Sequence, residues 1–284
     1  MKKIVVFLGL LMLLPVSGCS LVSIGYNNAD LYLRYSINGY ATFNDTQKQV
    51  IKREVENYLL WHRKNMLPQY ASSLRDVLLV VQSGRVLKSD DVLSLRLVVR
   101  ALYVKTLQPM VRPAANLLSE LDTTQIDELV LSFAKENNKQ RDKYLSGSQD
   151  EKLKKRAEFS IDFIENLVGD LTDDQLEKVR ELSHKLPFAS DLYLRLRENS
   201  QAGLLGLMGN KKGEGEIYAY LSAWLIMPEA SRSPNEQNIL ASFERGAEEF
   251  VVDAYAMLNQ RQKKTLIKNM TKYIDSFTQL ASGS

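Results

Sequence analysis

LTDDQ, residues 171–175, is a complete helix start in five letters. Thr172 suits the N-cap, where its hydroxyl accepts a backbone N–H from the first turn. Gln175 then falls at N3, where its side chain reaches back to the cap N–H and closes a capping box. Asp173 and Asp174 stand in the first turn, where the helix dipole favours negative charge. Leu171 and Leu176 flank the phrase at the positions of a hydrophobic staple. The phrase recurs as LDTTQ at 121–125, with Asp122 as cap, and more loosely as FNDTQ at 43–47 and LNQRQ at 258–262. The last two use Asn44 and Asn259 as caps and carry Lys48 and Lys263 where a staple needs an apolar residue. Successive copies lie 78, 50 and 87 residues apart, too unequal for a solenoid of fixed period. Convergence on one capping solution and descent from a common helical hairpin both account for them.

Outward from these starts the pattern stays helical. Ile126, Leu129, Val130 and Phe133 recur at helical spacing, as do Leu176, Val179 and Leu182, and Leu266, Ile267, Met270, Tyr273, Ile274 and Phe277. The opposite faces are Lys, Glu, Asp and Gln, and no alternating run bounded by turns demands a strand. The chain is therefore expected to be all-α, with about nine or ten amphipathic helices in an irregular bundle. Ser83-Gly84 ends one helix, Pro109 and Pro113 bend or break another, and Ser148 and Ser233 cap two more. Residues 203–215 (GLLGLMGNKKGEG) hold five of the fourteen glycines. Glycine costs about 1 kcal/mol in a helix interior, so this stretch reads as a loop, a hinge or a boundary. As a flap it would expose Leu204, Leu205, Leu207 and Met208.

The first residues bear on location. Lys2 and Lys3 precede an apolar run from Ile4 to Leu14, about 16 Å long as a helix and too short for a hydrocarbon core of about 30 Å. The pattern is that of a secretory signal. Val16-Ser17-Gly18-Cys19 resembles a bacterial lipobox, and Cys19 is the only cysteine. The resemblance implies cleavage before Cys19, a diacylglyceryl thioether on it and acylation of the new terminus, several chains together giving stable anchoring. Ser20 follows, not the Asp that holds such lipoproteins in the inner membrane, so the periplasmic leaflet of the outer membrane is the expected location. The division expected is a signal peptide at 1–18, a lipidated terminus and short tether at 19–29, and a helical domain at 30–284 with 203–215 as its hinge.

Removing Lys2 and Lys3 takes the balance from 37 basic and 34 acidic residues to 35 and 34. A net charge so near zero argues against nucleic acid as a partner. No P-loop, dinucleotide fingerprint, nucleophile elbow or HExxH is present. The two histidines, His62 and His184, lack the neighbours of a zinc or di-iron site. His62 falls on an apolar stripe and reads as a core residue, while His184 suits a helix C-terminus. No catalytic residue, cofactor or metal is expected, and Cys19 is the one site residue. Glu248 and Glu249 read as solvated surface. Tyr26, Tyr32, Tyr35 and Tyr40 crowd the stretch next to the anchor, where they either meet the bilayer interface or pack on the core. Clusters at Lys152-Lys154-Lys155-Arg156, Lys211-Lys212 and Arg261-Lys263-Lys264 either meet anionic headgroups or are solvated helix faces.

Two families share these elements. L-T-x-x-Q is the signature of helical periplasmic stress proteins of the Spy and CpxP type, which the four phrases resemble over five residues each. That resemblance implies a chaperone-like or stress-related role. The order of the lipobox, GYNNAD at 25–30, WHR at 61–63 with LPQY at 67–70, and YLSGS at 144–148 is similar to an uncharacterised family of proteobacterial helical lipoproteins over roughly residues 1–200. The function expected is a lipid-anchored, non-catalytic binding module whose partner is an envelope protein or an unfolded client. The alternatives are a structural or regulatory partner of another envelope protein and an unrecognised envelope enzyme.

Overall fold

The computed structural model describes residues 19–283, and among them the chain is all-α with no strand. The helices run α1 (Cys19–Asn27), α2 (Ala29–Asn38), α3 (Asp45–Asn65), α4 (Leu67–Gln82), α5 (Ser89–Ser119) and α6 (Thr123–Tyr144). They continue as α7 (Gln149–Val168), α8 (Asp173–Lys185), α9 (Ser190–Gly209), α10 (Glu214–Ile226), α11 (Pro234–Ala256) and α12 (Gln260–Ser282). A 3-10 turn, Pro228–Ser231, separates α10 from α11. The four repeated phrases begin α3, α6, α8 and α12, each with Asn or Asp or Thr as cap and Gln at N3 in a closed capping box.

Among the described residues, twelve α-helices stand where about nine or ten were expected. Part of the difference lies at the start. Residues 19–29, read from sequence as a tether, hold α1 and the start of α2, and Val22 and Tyr26 of α1 are buried against Met66, Leu67 and Phe277. An apolar residue every fourth position gives even this short helix a face worth burying.

The prolines do not break their helix. Pro109 and Pro113 lie inside one unbroken 31-residue helix, α5. Each proline removes one helix hydrogen bond, but they are four residues apart, so both defects fall on one face. Packing of α3 and α10 against α5 holds the helix through them.

The glycine-rich stretch is a correction too. Residues 203–209 are the last turns of α9, and the turn proper is confined to residues 210–213. Leu204 and Met208 are buried against Ile217 and Leu221 instead of forming an exposed finger. Gly203 is needed for closeness: a Cβ there would run into the Tyr220 ring, whose hydroxyl donates to the Ser200 carbonyl at 3.0 Å. The loss of helix propensity is outweighed by letting α10 dock on α9.

The core is divided into several clusters. One joins α1, α4 and α12; a second joins α5, α6, α9 and α10; a third joins α7, α8, α11 and α12; smaller ones tie α2 to α3 and α9 to α11. Glu248, expected at the surface, is buried at the α5–α11 contact. There it accepts from Arg96 Nε at 2.7 Å, and Glu244 pairs with the same guanidinium at 3.0 Å.

Candidate functional site

Helices α3 and α10 both pack on α5, and an apolar groove with a cavity of about 380 Å³ runs between them. On α3 it extends from Val50 to Trp61, and on α5 from Leu107 to Leu118, about 16 Å along either axis. Tyr40, Phe43 and Phe133 close one end. Trp224 and Leu225 form the α10 wall. The chain has two tryptophans, and both line this groove. Polar lining is confined to Glu54 and Asn57, on the α3 rim, and to the tyrosine hydroxyls. Tyr58 has spent its hydroxyl on the Thr106 carbonyl at 3.3 Å, and burial pushes its pKa up. The volume and lining are those of a small-ligand site, and among the described residues no arrangement of acid, base and nucleophile faces into it.

The prolines of α5 belong to this groove, since Pro109 and Pro113 both line it. A proline has no N–H, so the carbonyls of Lys105 and Pro109 lack their helix donors.

The repeated phrases meet in pairs. Gln125 Nε2 donates to Gln47 Oε1 at 2.7 Å, and Gln47 Nε2 to Gln125 Oε1 at 3.2 Å. Gln175 and Gln262 trade the same bonds at 2.9 Å and 2.7 Å. Each Oε1 also accepts from its own cap N–H, at 3.0 or 3.1 Å. The remaining N–H of each amide goes to a backbone carbonyl of the facing segment: Glu120 or Thr42 in the first pair, Met257 or Asp170 in the second. All four side chains are buried. A buried polar group must find its partners within the protein, and only an amide fits here. Glutamate would offer no donor and set two charges face to face. The Ser148–Glu151 and Ser233–Glu236 boxes, which make no such pair, use Glu and lie at the surface. The capping role of Gln175 was legible in the sequence; the pairing was missed. The signal available was the constancy of Gln at N3 in all four copies.

A second buried polar system binds α1 to the bundle. His62 is 3% exposed. Its Nδ1 bonds the Tyr26 hydroxyl at 2.9 Å and its Nε2 the Tyr70 hydroxyl at 3.2 Å. Tyr70 continues to Thr106 Oγ1 at 2.5 Å. Burial lowers the His62 pKa to about 4 and raises that of Tyr70 to about 12. The core placement read from the apolar stripe is correct, and two hydroxyls satisfy both ring nitrogens.

Other residues singled out from sequence are scattered. Helix α1 starts at Cys19, whose side chain lies outside the described residues, as does the leader at 1–18. Among the tyrosines near it, Tyr26 is buried while Tyr32 and Tyr35 are exposed. Arg156 donates to the Leu186 carbonyl at 2.8 Å and stacks on Phe188, so it latches α7 to the segment after α8. Lys212 pairs with Glu216 at 2.9 Å, and Lys263 lies over the Tyr255 ring. His184 is exposed, far in the chain and in environment from His62. Among the described residues no group of three His, Cys, Asp or Glu could hold a metal ion.

Fold and groove together define an all-α bundle with an apolar ligand-sized site. The chain belongs to a family of unknown function, DUF6279, whose model matches residues 39–235. That stretch contains the first three repeated phrases and all of the groove except Ile37. No curated protein and no solved structure matches the chain.

Proposed function

We propose that the protein is a lipoprotein, anchored through Cys19 in the periplasmic leaflet of the outer membrane, that acts by binding an apolar ligand and not by catalysis. The observation that carries the binding reading is the groove between α3 and α10, whose lining offers hydrocarbon and few polar groups. Anchoring is supported by the lipobox-like VSGC at 16–19 and by the apolar side chains of α1 and α2. Ile24, Leu31 and Tyr35 are exposed on these two helices, with Tyr35 at 73%, a composition suited to the interface. No helix among the described residues is long and apolar enough to cross a membrane. The resemblance of the four phrases to the LTxxQ stress proteins gives the finer form of the reading, in which the bound ligand is a hydrophobic client.

Two measurements test this. Fractionation of cells should find the wild type with the outer membrane and Cys19→Ala elsewhere, either soluble or held in the inner membrane by its uncleaved leader. Recovery of Cys19→Ala in the outer-membrane fraction would defeat the anchor. An environment-sensitive naphthylamine dye should bind saturably and shift the emission of Trp61 and Trp224. Absence of saturable binding would defeat the groove as a ligand site.

A further inference from the structure

Among the described residues, Glu54 is the one charged side chain lining the groove. Its carboxylate stands on the α3 rim and is an acceptor. Glu54 is half-buried and takes Arg53 on Oε1 at 3.1 Å, which leaves Oε2 for another donor. Asn57, exposed beside it, has an amide that serves either way. Among the described residues no Lys or Arg lines the groove. A carboxylate or bare phosphate at the rim would face the like charge of Glu54 with no cation among the lining residues to offset it. A head that donates hydrogen bonds meets what it needs.

The body of the ligand is limited in the same way. An extended peptide would bury N–H and C=O groups against carbon, at a cost of about 1–3 kcal/mol for each group left unpaired. A helix satisfies its own backbone. An apolar helix face is therefore the competing occupant, to be recognised by a peptide adduct. A hydrocarbon chain has no backbone polar groups and is thin enough for the space. Resting on the binding reading above, we infer that the groove holds one acyl chain of a phospholipid whose head carries an ammonium group, as in phosphatidylethanolamine. The chain lies along α5 between Trp61 and Trp224, and the ammonium sits at Glu54.

The test uses the full chain in cells, with a photoreactive amino acid at Asn57 on the rim and a second copy of the experiment at the exposed Glu181 as control. Irradiation and mass analysis of the purified protein should show an ethanolamine phospholipid adduct at 57 and none at 181. Ala114 lies half-buried on the groove floor. Ala114→Phe fills the space and should lower the adduct yield about tenfold or more while leaving the thermal transition in place. Glu54→Gln should keep the chain bound but shift the adducts toward glycerol-headed lipids. A peptide adduct, no adduct, or an adduct indifferent to Ala114→Phe overturns the inference. Dye binding without a lipid adduct would refute the lipid and leave the binding site standing; loss of dye binding would remove both. Neither result depends on whether Cys19 is acylated.

Discussion

The two glutamine pairs are built alike and sit over different interiors. In each, two helix starts face one another and interlock through reciprocal amide bonds. The residue just before each cap shows where they part. Phe43 and Leu121, beside the first pair, line the open groove. Leu171 and Leu258, beside the second, are packed in a buried core with Ile164, Val179 and Ala254. One device therefore clamps helix ends over two kinds of interior. The repeated phrase is structural in both, and the capacity to bind comes from what the neighbouring helices leave unfilled.

The largest expected effect probes the clamp itself. Gln262 is 0% exposed. In Gln262→Glu the new carboxylate loses both donors and faces the Gln175 and Asp170 oxygens, at a cost of about 3–5 kcal/mol near pH 7. Urea denaturation should show this, and a smaller loss for Gln47→Glu, whose pair adjoins the groove and water. Equal losses would erase the distinction between the two sites.

Acid should weaken the attachment of α1 to the bundle. His62 titrates near 6.5 unfolded and about 4 in the fold, because burial penalises its charged form. The unfolded chain therefore binds the proton more readily. Stability is fully present above pH 6.5 and is lost as pH falls from there through 4, by up to about 3 kcal/mol. His62→Gln should flatten that part of the stability profile. An unchanged profile would show that the Tyr26–His62–Tyr70 system contributes nothing to it.

Overpacking separates the two interiors directly. Val179 is 0% exposed in the core beside the second pair, and Val179→Phe should cost about 1–3 kcal/mol. Next in size is the cap: Thr172→Ala removes the hydroxyl that accepts from the Gln175 N–H and should cost about 1 kcal/mol. The smallest effect should be Ala114→Phe, which enlarges a residue facing empty space and should stay within about 0.5 kcal/mol. Thermal melts of these three variants rank the effects. A destabilised Ala114→Phe would mean that the groove is closed in solution.

Much of the fold was legible in the residues for identifiable reasons. Helix starts at Asn44, Asp122, Ser148, Thr172, Ser233 and Asn259 are local chemistry, decided within four residues, and all six caps form. The 203–215 stretch misled because glycine propensity is also local, whereas the gain from seating Tyr220 against Gly203 lies between helices. The same holds for α5, where two prolines survive on packing from both sides.

By itself the sequence determined an all-α chain, where its helices start and which faces they bury, because capping and periodicity act over a turn or two. Only the tertiary structure decided that Gln47 meets Gln125 and Gln175 meets Gln262, at separations of 78 and 87 residues. It also decided that Trp61 and Trp224, far apart in the chain, line one groove. Pairings over such distances depend on how whole helices pack, and a groove is space that side chains fail to fill. Neither is written in the spacing of residues along one helix.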